Sequence, residues 1–221
     1  MANGTGPRHA IVIAAHADDE TLGCGGTIAK LTRLGWRVDV VIVSDGVVTA
    51  RGLEQDNRED ARAACKLLGV DEPTFLGFPD QRLDEVSMVE LSNALVPLAE
   101  GPDLVMTHAT ADLNQDHRLI AEAVKIAWRP QDRAVSILEF EIPASAYWHG
   151  QTFAANYFVD ISETLDTKLA ALSAYATEAK AAPHPRSPEG VATLARLHGG
   201  HAATDAAEAF RLLRGFEGQL P

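Results

Sequence analysis

The sequence lacks two features that would each have placed it in a distinct class: a long apolar run and an abundance of cysteine. No apolar run approaches the ~20 residues of a membrane-spanning helix. Residues 1–7 are polar, without the apolar stretch of a signal peptide, so we expect no membrane span and a cytoplasmic location. The two cysteines, Cys24 and Cys65, fall in predicted helices. We expect both to be reduced and buried, not paired in a disulfide.

Positive charge is also scarce. The chain has 19 Lys and Arg residues against 31 Asp and Glu, a formal net charge of −12. It therefore repels phosphate backbones and anionic membranes, and we expect no nucleic-acid partner. The apolar fraction of 46% and the charged fraction of 23% are ordinary for a folded protein. We expect residues 1–221 to form a single domain, with residues 1–7 as a flexible tail.

Strands and helices alternate over about the first 140 residues. Hydrophobic patterning predicts strands at residues 10–15, 37–44, 73–78, 103–107 and 136–142, and helices at residues 21–34, 56–68, 86–100 and 117–127. This alternation predicts an α/β fold: a Rossmann-like parallel sheet with helices on both faces. The rest of the chain does not continue this alternation of strands and helices, and it is predicted to be a C-terminal elaboration. It comprises a strand at residues 157–161 and helices at residues 164–180, 191–197 and 205–213.

The first candidate site follows the first predicted strand. There the apolar run ends abruptly in His16, Asp18 and Asp19, just before a helix. His16 and Asp19 are three residues apart, so a helical turn brings them to one point, as metal ligands require. Asp18 lies between them and points elsewhere. It is therefore free to act on a molecule that the metal holds.

A second polar segment, residues 112–117, follows the fourth predicted strand. In an open doubly wound sheet, ligands bind beyond the carboxyl ends of the strands where the strand order reverses, usually between strands one and four. We therefore expect His117 to join His16 and Asp19. Two imidazoles and a carboxylate are the ligand set of a catalytic zinc ion (Zn²⁺), which lowers the pKa of a bound water towards ~7. Asp18 is then the candidate general base.

Several of these residues have simpler interpretations. Acids at positions 18–20 also suit the positive end of a helix. Asp116 and His117 could be an N-cap and an exposed imidazole, although we favour Asp116 as a residue that orients a ligand or the base. The glycines at residues 23–26 do not have dinucleotide-loop spacing, so we interpret them as sites of close helix packing. His108 is either an alternative ligand or a buried partner of the ligands, and we favour the second.

The two polar segments resemble the motifs of the LmbE-like, or PIG-L, family of zinc-dependent N-deacetylases. Residues 15–20, Ala-His-Ala-Asp-Asp-Glu, are similar to the family's A-H-P-D-D-E, with Ala17 in place of proline. Residues 112–117 are similar to its second motif, which commonly ends in H-P-D-H. The resemblance runs nearly end to end. It includes shorter stretches at residues 139–143, 158–161, 184–187 and 207–210.

The resemblance implies the chemistry that the residues themselves suggest. His16, Asp19 and His117 would hold zinc, and Asp18 would deprotonate the water that attacks an acetamide carbonyl. The implied substrate is an N-acetylated amino sugar or its conjugate, with amidase activity on a related conjugate as an alternative. Where the family has a histidine that stabilises the oxyanion or protonates the amine, this chain has Asn114. An amide can donate a hydrogen bond to an oxyanion but cannot protonate an amine.

Other groups must therefore protonate the amine and contact the substrate. Asp18 could return its proton to the nitrogen, and His184 is a second candidate because its loop resembles a family segment. Arg58 lies near the position of a substrate-binding arginine in family members. Asp80 ends the third predicted strand, where it could accept hydrogen bonds from sugar hydroxyls. A surface charge or a turn cap would explain Arg58 and Asp80 equally well. For His184 we favour the simpler interpretation of a surface or structural histidine.

Two other functions remain open at this point. Asn114, in place of a catalytic histidine, would suit a sugar- or metal-binding module without turnover. The fold class alone would suit a nucleotide-binding protein. The sequence leaves open the sugar, the metal in the cell and the oligomeric state, including a homo-oligomer.

Overall fold

The computed structural model describes residues 7–48, 54–130, 133–178 and 180–221. The strands are β1 (His9–Ala14), β2 (Arg37–Ser44), β3 (Val47–Val48), β4 (Gln55–Asp56), β5 (Thr74–Phe78), β6 (Leu104–His108), β7 (Ser136–Phe140), β8 (Tyr157–Asp160) and β9 (Ala207–Arg214). The helices are α1 (Asp19–Arg33), α2 (Arg58–Leu68), α3 (Met88–Leu95), α4 (Gln115–Ala127), α5 (Ser145–Trp148), α6 (Leu165–Ala174) and α7 (Pro188–Ala202). Short 3₁₀ turns lie at Leu83–Glu85 and Val96–Ala99.

Seven strands form the central sheet in the order β5-β2-β1-β6-β7-β9-β8. The neighbours from β5 to β7 are parallel, whereas β9 runs antiparallel to both β7 and β8. Strands β3 and β4 form a separate antiparallel pair. The expectation of a mostly parallel sheet with helices around it is confirmed.

The strand order reverses between β1 and β6. The chain moves from β1 outward to β2 and β5, then returns to the other side of β1 as β6. Ile13 of β1 lies opposite Thr107 of β6, so the segments that follow these two strands emerge side by side. This crevice is where the sequence predicts the site.

Helices cover both faces of the sheet. The core on one face is formed with α1, α2, α6 and α7, and that on the other with α3 and α4. Consecutive strand residues such as Val12 and Ile13 are both fully buried but belong to opposite cores, which explains the absence of polar alternation. Cys24 and Cys65 are buried free thiols, as expected. Within the described ranges, no helix is long and apolar enough to cross a membrane.

Helix α1 is kinked at Cys24, whose φ of −146° is not helical. Two buried charges take over the backbone groups that the kink frees. The Glu208 carboxylate accepts the N–H of Gly26 at 2.9 Å and of Thr27 at 2.7 Å. Lys168 Nζ donates to the carbonyl of Leu22 at 2.9 Å and pairs with Glu208 at 2.6 Å. The first turns of α1 are thereby held at a fixed angle to the rest of the helix.

Two glycines of α1 allow its close approach to the sheet. A Cβ on Gly23 would overlap the ring of Phe140, and a Cβ on Gly26 would lie 2.8 Å from a methyl of Ile161. The interpretation of residues 23–26 as close packing is confirmed at these two positions.

The structure corrects several predicted elements. Residues 205–213 were expected to form a helix, because Ala, Glu, Leu and Arg are good helix formers. They instead supply most of strand β9, whose burial on the sheet outweighs local propensity. The helix predicted at residues 164–180 ends at Ala174, and the one predicted at residues 86–100 becomes 3₁₀ from Val96, next to Pro97. Most of the predicted tail, residues 1–6, lies outside the described residues.

Candidate active site

Three side chains converge where β1 and β6 end. His16 Nδ1, Asp19 Oδ2 and His117 Nε2 form a triangle in which each pair of atoms is 3.2 Å apart. All three residues are buried. Tetrahedral zinc with bonds of about 2.0–2.1 Å requires ligand atoms about 3.3 Å apart. The donor set and its spacing therefore fit a divalent metal with one position left open.

Each histidine of the triangle contacts a carboxylate through its other ring nitrogen. His117 Nδ1 lies 3.1 Å from Asp112 Oδ2, and His16 Nε2 lies 3.1 Å from Asp116 Oδ2. Asp116 is itself held by the N–H of Leu83, at 3.2 Å. Such partners fix the ring orientation of metal-binding histidines. The contact to His16 is the one expected for an orienting role of Asp116.

Asp18 has a strained backbone at the start of α1. Its φ of 109° and ψ of −26° lie in the left-handed region, which costs a non-glycine residue about 1–3 kcal/mol. Glu20 stabilises this turn, because its carboxylate accepts the N–H of Asp18 at 3.2 Å and the hydroxyl of Tyr175 at 2.7 Å. The turn places Asp18 beside the triangle, in the wall of a cavity that opens over it and is described below.

Burial and negative neighbours shape the protonation of the site. Burial, followed by the charge of Asp19, raises the pKa of the Asp18 carboxyl well above its usual value, and Arg186 opposes this shift. At His16, burial opposes protonation, but hydrogen bonds to Asp116 and Asp19 outweigh it and raise the pKa of His16 to about 10. The carboxylates around His16 thus favour a positive charge at this point.

His108 lies behind the triangle and not in it. Its ring stacks on His117, with ring centroids 4.0 Å apart. Its Nε2 accepts the N–H of Ala15 at 2.9 Å, so the lone pair that a metal would need is already used. Burial is the main cause that lowers the pKa of His108, to about 4. The geometry favours a buried partner over an alternative ligand.

Asn114 links the second motif to the loop after β5. Its Oδ1 accepts the N–H of Asp116 at 2.9 Å, which caps α4, and its Nδ2 donates to Gln81 Oε1 at 3.0 Å. Gln81 Nε2 also lies 3.1 Å from His16 Nε2. Asn114 lines the cavity, and its Nδ2 carries a second hydrogen besides the one directed at Gln81.

A cavity of about 630 Å³ opens over the triangle. Its floor carries the acids and histidines described above, and its sides carry Arg118, Lys180 and Arg186. Trp148 is half exposed in the wall, with the guanidinium of Arg186 5.7 Å from the ring centroid. A molecule with several hydroxyl or anionic groups would find partners on every side.

The three predicted substrate-binding residues differ in their placement. Asp80 and His184 line the cavity. Asp80 Oδ1 lies 3.8 Å from His16 Nε2. His184 contacts Trp148 edge to face, with centroids 5.9 Å apart. Arg58 is not among the described lining residues, because its guanidinium is exposed and pairs with Asp56 at 2.6 Å.

Sequence reasoning missed Gln81 and Arg186 and gave Asp112 no separate role. Asp112 had a usable signal, since it opens the segment that ends in His117. Gln81 follows Asp80 directly, but its inward direction depends on a left-handed backbone, with φ of 56°. Arg186 lies about 170 residues from Asp18 in the chain, and only the tertiary fold brings them together.

Comparison with known proteins identifies the family. Residues 11–128 match the sequence profile described as PIG-L, GlcNAc-PI de-N-acetylase, and so include all three members of the triangle. The chain belongs to this PIG-L family. The resemblance of the two motifs is thereby confirmed.

Several curated relatives have deacetylase names. The chain is 33% identical over 171 residues to an uncharacterised deacetylase, YaiS, of Escherichia coli, covering 73% of this chain and 87% of that protein. It is 30% identical over 188 residues to the diacetylchitobiose deacetylase of Thermococcus kodakarensis, covering 76% of this chain and 69% of that protein.

Solved structures show that proteins with different reactions share this fold. The 4-carboxy-2-hydroxymuconate hydratase GalB of Pseudomonas putida superposes with a TM-score of 0.74 at 22% identity, covering 97% of this chain and 99% of that chain. The likeness supports the PIG-L-type fold. Because a hydratase has the same fold, the reaction must be argued from the site.

Proposed function

We propose that the protein is a metal-dependent hydrolase that removes the N-acetyl group from an N-acetylated amino sugar or its conjugate. The observation that carries the proposal is the triangle of His16, Asp19 and His117, with Asp18 beside it. Membership of the PIG-L family and the deacetylase names of two relatives support the choice of substrate.

In this proposal the triangle holds zinc. When bound, such an ion polarises the amide carbonyl and makes water acidic enough to act near neutral pH. The carboxylates of Asp112 and Asp116 would hold the two imidazoles in the orientation that metal binding needs.

Asp18 moves the proton. As the water attacks the amide carbon, the Asp18 carboxylate takes a proton from it. The carboxyl then gives this proton to the nitrogen as the carbon–nitrogen bond breaks, so acetate and the free amine leave. The raised pKa of Asp18 suits a group that must hold a proton between the two steps.

Asn114 is proposed to stabilise the oxyanion through the hydrogen of Nδ2 that is not directed at Gln81. Arg186 and Lys180 are proposed to contact the sugar or its conjugate from the cavity wall, together with Asp80 and His184. We retain Arg58 only as a candidate for the outer part of a long conjugate, because it lies outside the described lining of the cavity.

The proposal is tested first by metal content. Purified protein should carry close to one zinc per chain, and His16→Ala should lose most of it, since two ligands bind far more weakly than three. His201→Ala, an exposed histidine that does not line the cavity, is the matched control. Full zinc occupancy in the His16 variant would contradict the ligand assignment.

Acetate release then separates an enzyme from a binding module. The zinc-loaded protein should release acetate from at least one of a set of free, nucleotide-linked and lipid-linked N-acetyl sugars. Binding of such sugars without acetate release would favour a module without turnover.

A further inference from the structure

A second, largely apolar cavity lies beside the active-site cavity. It has a volume of about 280 Å³, and its apolar wall includes Leu22, Leu172, Tyr175 and Pro188. Asp18 lines both cavities, so the two adjoin at this residue. Three charged residues on the 178–186 segment also border both.

The apolar wall is held by the core. Tyr175 is fully buried and donates its hydroxyl to Glu20, the residue that stabilises the turn of Asp18. Leu22 is 3% exposed and lies one turn beyond Asp18 on α1. Ala176 and Pro188 are exposed, so the cavity opens to solvent at its outer end. Its inner wall is thus made of buried core side chains.

The two cavities differ in what they can bind. The larger one presents carboxylates, amides and cations, which suit the hydroxyls of a sugar. The smaller one offers mainly aliphatic and aromatic surface away from its charged rim, and such surface favours hydrocarbon. An amide has two substituents, and its carbonyl carbon must lie near Asp18, the residue at which the two cavities adjoin.

An acetyl group would leave most of the smaller cavity unfilled. At about 30 Å³ for each heavy atom, the share of a water molecule in the liquid, its volume corresponds to about nine heavy atoms. The methyl of an acetyl group would occupy the space of only one of these heavy atoms.

We propose that the smaller cavity binds the acyl group of the substrate, and that this protein removes longer linear acyl chains from N-acyl amino sugars as well as acetyl groups, and removes them faster. The inference rests on the proposed amide hydrolysis and specifies which acyl groups that site accepts. The sugar lies in the larger cavity, the scissile carbonyl at Asp18, and the chain runs along Leu22 and Leu172 towards the opening at Ala176.

The test compares acyl chain lengths on one amino sugar with the zinc-loaded, full-length protein. N-acetyl-, N-butanoyl- and N-hexanoylglucosamine differ only in methylenes, so release of the free amine gives kcat/KM for each on one assay. Each methylene that enters the cavity should raise kcat/KM by about two- to fourfold. We expect the hexanoyl compound to exceed the acetyl compound at least about tenfold.

Filling the cavity should remove this preference. Ala176→Trp places an indole at the opening, and Ser173→Trp does so from the neighbouring position of the lining. Either variant should lower the hexanoyl-to-acetyl ratio of kcat/KM by about tenfold. Ala170→Trp makes the same change at an exposed position of α6 that lines neither cavity, and it should keep the wild-type ratio.

The outcomes separate this inference from the function on which it rests. Cleavage of the acetyl compound as fast as the hexanoyl compound would overturn the acyl pocket and leave the hydrolase. A tryptophan variant that lowers both rates equally would also overturn it. If Ala176→Trp instead weakens only an N-acetyl sugar with an alkyl aglycone, the cavity holds the aglycone and the inference is wrong. Cleavage of no N-acyl sugar would overturn the proposed function itself.

Discussion

At the scale of single residues, the proposed reaction assigns metal binding and proton transfer to different groups. Asp18 and Asp19 are adjacent, yet the left-handed backbone of Asp18 directs one carboxylate to the cavity wall and the other to the triangle. Replacing Asp18 should therefore affect the reaction without affecting the metal.

Asp18→Asn tests this separation. We expect zinc content to stay near the wild-type level and acetate release to fall about 10²–10⁴-fold, the usual contribution of a general base. Zinc analysis and a rate measurement on one preparation check both parts. Asparagine also tolerates left-handed backbone, so the turn should survive. Activity close to wild type would remove Asp18 as the base.

Asp112 should matter through His117 and not through direct contact with the metal. Asp112→Asn keeps the shape of the side chain but removes the charge that lies 3.1 Å from His117 Nδ1. Loss of such a partner costs about 10–100-fold in metal affinity. Competition with a chromogenic chelator measures this loss. Asp84→Asn, an exposed acid on the neighbouring 3₁₀ turn, should bind zinc like the wild type.

At the scale of elements, the kink of α1 depends on the buried pair of Lys168 and Glu208. Lys168→Met leaves the Glu208 carboxylate buried without its cation, which costs about 3–5 kcal/mol. Denaturant unfolding measures the loss. Arg62→Met breaks the exposed contacts to Glu59 and Glu72 and should cost less than about 1 kcal/mol. Equal effects of the two variants would contradict a special role for the buried pair.

The approach of α1 to the sheet gives a second prediction for this element. Gly23→Ala forces a methyl into the ring of Phe140 and should destabilise the protein by about 1–3 kcal/mol. Gly200→Ala is the matched control, because that helical glycine of α7 has open space around it and alanine is the better helix former. Thermal unfolding should therefore separate the two alanine variants in opposite directions.

At the scale of the whole molecule, stability should depend on pH in a way that reveals the site's need for a cation. In chelator-treated protein, the folded pKa of His16 is about 10 against a usual value of 6.5. Between these values the folded state binds more protons than the unfolded state, so stability falls as pH rises. The zinc-loaded protein should lose less, because the ion supplies the positive charge.

Unfolding temperatures of the chelator-treated and the zinc-loaded protein, measured between pH 6.5 and about 10, check the prediction. The chelator-treated His16→Asn protein lacks the titrating imidazole and should show a flatter profile than the chelator-treated wild type. Parallel profiles for the zinc-loaded wild type, the chelator-treated wild type and the chelator-treated variant would show that His16 does not govern how stability depends on pH.

The fold and the centre of the site were predictable because both follow from short-range patterns. The strand β2 has the predicted bounds, and the end of β1 leads directly into His16 and Asp19. The meeting with His117 follows from the reversal of strand order between β1 and β6. These inferences require only periodicity and the rules of parallel sheets.

What could not be predicted depends on long-range contact. Strand β9 has the composition of a helix and becomes a strand because Phe210 and its neighbours are buried against β7 and β8. Arg186 reaches the cavity only through the fold of the C-terminal part. Arg58 lies near a substrate-binding position of the family in the sequence, yet its exposed pair with Asp56 holds it outside the described cavity lining.

The buried Lys168–Glu208 pair that holds the kink of α1 also has a consequence for folding during translation. The turn that carries Asp18 and Asp19 emerges early from the ribosome, but the carboxylate that satisfies its kink belongs to Glu208, translated 182 positions after Gly26. A nascent chain can therefore form β1 and the start of α1 long before their geometry is fixed. Capacity to bind metal tightly should appear late in translation, when β9 joins the sheet.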